Sequence, residues 1–208
     1  MINLGILVSG RGSNMDAILA AIKAGRIPMV KPALVVSNKP DAMAIKTAAE
    51  KYGVRTKVVT PEGASRGGWD YDKKLVAALE EAGVTPQEGL VCLAGFMRII
   101  SPEFVRHFKM RILNIHPSLL PSFPGLHAQR QAVEYGVKVS GCTVHFVDEG
   151  VDSGPIILQR TVPVMEGDGE ESLAARILEQ EHQAYPEAIR LFAEGRLKIE
   201  SRRVRVLP

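Results

Sequence analysis

Cysteine is nearly absent from this 208-residue chain: Cys92 and Cys142 each sit in an apolar run, and neither has the paired spacing of a zinc site or a thiol redox motif. A disulfide-stapled scaffold is excluded, and reduced, buried thiols are expected. No stretch reaches the roughly 18 consecutive apolar residues of a membrane span, and no leader pattern opens the chain. The expected setting is therefore cytoplasmic, without a membrane partner. Charge of one sign is also missing, since 26 Lys+Arg stand against 23 Asp+Glu and only Arg202, Arg203 and Arg205 form a basic cluster. A nucleic-acid partner would need a denser footprint. Repeats and low-complexity linkers are absent too, so one domain over 1–208 is expected, with halves of about 1–100 and 101–208.

What is present is an ordinary globular composition, 46% hydrophobic and 24% charged. Apolar runs at 2–8, 33–36, 55–59 and 90–94 alternate with helical spacing after 13, over 42–52 and over 71–82. That alternation predicts an α/β fold: a Rossmann-like, open, mostly parallel twisted sheet with helices on both faces. After a fifth strand at 112–116 the character changes. Prolines 117, 121 and 124 mark a structured loop, and 140–146 pairs with 156–162 as an antiparallel edge in the C-terminal half. A helix over 172–194, kinked at Pro186, and a short strand at 197–199 complete the expected order.

Two segments carry chemistry. Ser9-Gly10-Arg11-Gly12-Ser13-Asn14 turns the chain from the first strand into a helix, with Ser13 and Asn14 placed to cap it. A helix start of this kind attracts anions through unpaired N–H groups and the helix dipole. The spacing is neither Walker A nor a dinucleotide fingerprint, and Ser37-Asn38-Lys39-Pro40 puts no ribose-binding acid after the second strand. A phosphorylated small molecule fits better than NAD. In the fifth strand, Asn114 and His116 are two apart and so leave the same face, at the carboxyl end where open α/β sheets bind ligands. A lone strand histidine is usually structural, but Asn can donate to a developing oxyanion and His can move a proton, so the pair suits attack on a carbonyl. The acidic loop offers Asp148, Glu149 and Asp152 as a partner for His116, and Asp152, flanked by Gly150 and Gly154, is best placed for close backbone approach. No Ser or Cys stands in a nucleophile motif, which points to direct transfer between two bound substrates.

Asn114-Ile115-His116-Pro117-Ser118-Leu119-Leu120-Pro121, with 93–102, 145–147 and 151–159, resembles the 10-formyltetrahydrofolate-dependent formyltransferases over nearly the whole chain. Ser9–Asn14 and Gln180-Glu181-His182 make it similar to the branch of that family acting on glycinamide ribonucleotide (GAR) in purine synthesis. The resemblance implies small-molecule partners only, GAR and 10-formyltetrahydrofolate as formyl donor, no metal, and a monomer or homodimer. It implies Asn114, His116 and Asp152 as catalytic residues, Asp152 keeping His116 charged and relaying a proton through water. Arg11, Gly12, Ser13, Asn14, Pro117 and Glu181 would bind GAR. Phe96, Met97, Arg98, Ile99, Ile100, Val147, Asp148 and Asp152 would line the folate pocket, largely through backbone groups, with Thr143 and His145 supporting the site from behind. Phe96, Ile99 and Ile100 also suit core packing, and the two roles are compatible. One departure is Gly67-Gly68, where relatives often carry an Arg; Arg66 lies nearby as a substitute. A deformylase or a methionyl-tRNA formyltransferase would bring an extra domain in most relatives, and a non-catalytic nucleotide-binding module would leave Asn114, His116 and Asp152 without a purpose.

Overall fold

The computed structural model describes residues 1–65 and 67–208, so the substitute role of Arg66 lies outside the described residues. The chain divides into two compact units, Met1–Asn114 and Ile115–Pro208, the boundary falling inside the fifth strand.

In the first unit the strands β1 (Ile2–Val8), β2 (Val30–Ser37), β3 (Thr56–Val58), β4 (Gly89–Leu93) and β5 (Ile112–His116) follow the order β3-β2-β1-β4-β5, all parallel. Their connections are α1 (Ser13–Lys23), α2 (Met43–Tyr52), α3 (Trp69–Glu81) and α4 (Pro102–His107). Because β2 and β4 flank β1 on opposite sides, right-handed crossovers send α1 and α3 to opposite faces, giving the helices-on-both-faces arrangement that the alternation predicts. β1 and β4 are almost wholly buried, which explains why they read as continuous apolar runs. Gly5 lets α3 pack close to β1, since a Cβ there would press on the Leu79 side chain of that helix. The helix α4 was not foreseen; Ser101 caps it by accepting from the Phe104 N–H, with Pro102 at its first position.

The second unit holds β6 (Val139–Phe146), β7 (Ile156–Pro163), β8 (Leu197–Glu200) and β9 (Arg203–Val206), with α5 (Ala128–Tyr135) and α6 (Glu170–Ala193). β6 and β7 are antiparallel, as expected; β7 pairs with β9 in parallel and β9 with β8 in antiparallel, so β8 is the outer strand. The basic cluster at 202–205 thus lies in a hairpin. α6 packs on β6 and β7, buries Leu173, Ile177, Glu181, Ala184 and Ala188 along its length, and continues as helix through Pro186.

Candidate active site

The glycine turn of the first unit is built around Gly12. It is the N-cap of α1, at φ 78° and ψ 31°, and a Cβ there would lie 2.5 Å from the Ala44 Cβ. Only glycine meets both demands. The expected side-chain capping by Ser13 or Asn14 is corrected, since these residues are already helical and the cap makes no side-chain hydrogen bond. The first-turn N–H groups have no acceptor inside the helix by geometry, which leaves the turn suited to an anion.

Ser9 is the residue that sequence reasoning missed here. Its hydroxyl donates to Asn38 Oδ1 at 2.6 Å and accepts from the Met97 N–H at 2.8 Å, so one buried side chain ties the β1 turn to the segment after β4. A serine at the end of a buried strand was the available signal. In that segment Met97 is 61% and Ile99 55% exposed, so core packing does not account for Ile99, while Phe96 and Ile100 are half-buried. Arg98 lies over the Tyr71 ring and donates to the Ala64 and Ser65 carbonyls, turning its guanidinium to the neighbouring loop. The Gly67 N–H, at φ +70°, donates to the Ile99 carbonyl. The glycines that depart from the family pattern therefore serve this loop's backbone.

In the second unit a single cluster stands at the end of β5. His116, 5% exposed, directs Nε2 at the Phe123 carbonyl at 2.8 Å and Nδ1 at Asp152 Oδ2 at 3.3 Å. A carbonyl and a carboxylate both only accept, so both ring nitrogens of His116 face acceptors. Asp152 Oδ2 also accepts from the Gly125 N–H at 2.8 Å, and Oδ1 lies 3.8 Å from His145 Nε2. Asp152 itself adopts φ +50°, and Gly154 beside it must be glycine because a Cβ would collide with the Phe146 carbonyl. Asp148 is turned elsewhere: its Oδ1 accepts from the Gly150 N–H and the Ser153 hydroxyl within its own loop. His145 is buried, which lowers its affinity for a proton, and its Nδ1–H donates to the Phe146 carbonyl. Two buried histidines thus flank the same carboxylate. Thr143 is fully buried behind the loop after β5, Pro117 ends that strand, Val147 is half-buried, and Glu181 is 7% exposed on the β-facing side of α6. Asn114 occupies β5 two residues before His116, paired in register with Leu93. Among the described residues no three His, Cys, Asp or Glu side chains gather as a metal site.

Residues 2–189 match the formyl transferase family, a span that includes every residue named in this site. The chain belongs to that family of enzymes. It is 45% identical over 197 residues to phosphoribosylglycinamide formyltransferase of Escherichia coli (strain K12), covering 95% of this chain and 90% of that one. It is 47% identical over 195 residues to the trifunctional purine biosynthetic protein adenosine-3 of Drosophila pseudoobscura pseudoobscura, covering 93% of this chain but only 14% of that much longer protein. Among solved structures, glycinamide ribonucleotide transformylase 1 from Symbiobacterium toebii superposes with a TM-score of 0.93 at 55% identity, covering 100% of this chain and 95% of that one.

Proposed function

We propose that the chain transfers the formyl group of 10-formyltetrahydrofolate to the glycinamide amine of GAR by direct attack, giving N-formyl-GAR and tetrahydrofolate. The observation that carries this reading is the His116–Asp152 pair at the end of the strand that also bears Asn114. The amine nitrogen bonds to the formyl carbon, negative charge collects on the formyl oxygen, and the bond to the folate nitrogen then breaks. Asn114 donates to that oxygen, and His116, with both ring nitrogens engaged by the protein, contributes positive charge. One proton leaves the amine and one is gained by the folate nitrogen; in this reading Asp152 carries it through water. Arg11, Gly12, Ser13 and Asn14 bind the GAR phosphate at the α1 turn, with Pro117 and Glu181 on the remainder of GAR. The segment Phe96, Met97, Arg98, Ile99 and Ile100, in which Met97 and Ile99 are exposed, receives the folate with Val147, Asp148 and Asp152. Both ligands are small molecules, and the setting we infer is cytoplasmic, as monomer or homodimer; no helix among the described residues is long and apolar enough to cross a membrane.

The relatives named for this activity favour it over the deformylase reading. The test is an assay of tetrahydrofolate release with and without GAR. Release only when GAR is present, matched by formylated GAR, is the expected result. Release without GAR would establish a hydrolase, and binding without release would reduce the chain to a nucleotide-binding module.

A further inference from the structure

The loop after β5 touches the His116–Asp152 pair at both ends. The Phe123 carbonyl meets His116 Nε2 and the Gly125 N–H meets Asp152 Oδ2, each at 2.8 Å. Phe123 holds φ +53°, a left-handed backbone that an aromatic residue rarely adopts. Something must hold it there.

The bonds inside the loop show what does. The Ser118 side chain is fully buried, and its hydroxyl donates to the Ser122 carbonyl at 2.5 Å and, more weakly, to the Phe123 carbonyl at 3.4 Å. Fixing the Ser122 carbonyl sets the peptide plane that leads into Phe123 and so the direction in which the next carbonyl points. Ser118 is anchored in turn: its own carbonyl accepts from Thr143 Oγ1 of β6 at 2.7 Å. Thr143 Oγ1 accepts from the Leu120 N–H and from Gln159 Nε2 of β7, each at 3.0 Å. The direction of every donor is determined, because Gln159 Nε2 also faces the Leu120 carbonyl at 2.9 Å, and a carbonyl can only accept. Thr143 therefore has a single hydrogen left, and it goes to Ser118. A hydroxyl with one donor and both lone pairs in use has no second arrangement.

We propose that Ser118 is a positioning residue for His116, closing the 118–123 turn so that the Phe123 carbonyl holds His116 Nε2 while Nδ1 faces Asp152, with Thr143 and Gln159 anchoring it from the strands behind. The proposal rests on the formyl-transfer reading for its kinetic consequence but not for its structural one.

The test is Ser118→Ala, with Thr143→Val as a second variant that removes the anchoring hydroxyl at nearly constant volume. Arg160→Gln, the neighbour of Gln159 that pairs with Glu187, serves as the control. Both hydroxyl-deleting variants are expected to lower kcat roughly tenfold, the scale of one buried hydrogen bond, with both KM values within about twofold of the parent. The His116 Nε2–H resonance, followed by NMR on labelled protein, is expected to shift or broaden in both and to stay in place in Arg160→Gln. An unchanged kcat, a loss expressed only in KM, or an unmoved His116 resonance in Ser118→Ala and Thr143→Val would overturn the proposal. If the parent transfers no formyl group, the functional reading fails, and the His116 resonance alone still decides the role of Ser118.

Discussion

His116 and Asp152 differ from the other acidic and histidine residues of the second unit in what their neighbours allow. Asp148 and Asp152 sit in one loop, yet Asp148 closes its own turn while Asp152 faces His116. Nothing in the loop's composition separates them; the left-handed backbone at Asp152 and the close approach allowed by Gly154 do. Asp152→Asn places an amide where the carboxylate balances the imidazole. The variant is therefore expected to move the His116 ring 15N chemical shifts and to lower kcat by roughly 10²-fold with GAR binding retained. An unchanged ring spectrum would remove the pairing from the mechanism. Gly12, by contrast, is a poor place to test phosphate binding, because a β-branched residue there would strike Ala44 whether or not a phosphate binds.

Among the elements, α6 shows most clearly how a helix start can depend on pH. Asp168, just ahead of Gly169, accepts from the Met165 N–H at 2.7 Å, the Ser172 hydroxyl at 2.8 Å and both Arg176 Nη atoms at 2.7 and 3.0 Å. Arg176 first, then the Met165 N–H and the Ser172 hydroxyl, holds the Asp168 carboxyl well below its ordinary range. A carboxylate whose folded affinity for a proton is depressed stabilises the fold above its unfolded value of 3.8 and loses that contribution as pH falls below it. Arg176→Gln is thus expected to lower the melting temperature at pH 7, and the gap to the parent is expected to narrow as pH drops below 3.8. Thermal melts at pH 7, 4 and 2.5 check this, and a gap that is constant with pH would contradict it. The order of elements was legible from periodicity because each strand and helix repeats its own spacing. The short helices α4 and α5, with only 6 and 8 residues, offer too few turns to register that way.

At the scale of the whole molecule, the two thiols report on folding. Cys92 and Cys142 are both free and fully buried, and burial pushes the Cys142 thiol up to about 12. Neither thiolate nor access is available in the native protein at mild pH. Ellman's reagent at pH 8 is expected to find no reactive thiol in the native chain and both in strong denaturant. A thiol that titrates before unfolding would show local opening of β4 or β6, the strands that carry them.

The amino-acid sequence by itself determined the alternation of strands and helices, the glycine turn after β1, and the placement of Asn114 and His116 on one side of β5, because each depends on residues within a few positions of one another. The tertiary structure alone decided the pairing of β7 with β9, the collision that makes Gly12 obligatory, the choice of Asp152 over Asp148, and the chain of hydrogen bonds from Gln159 through Thr143 and Ser118 toward His116. Those features join groups far apart in the chain, and a hydroxyl or an amide finds its partner only once packing has fixed which donor and acceptor face each other.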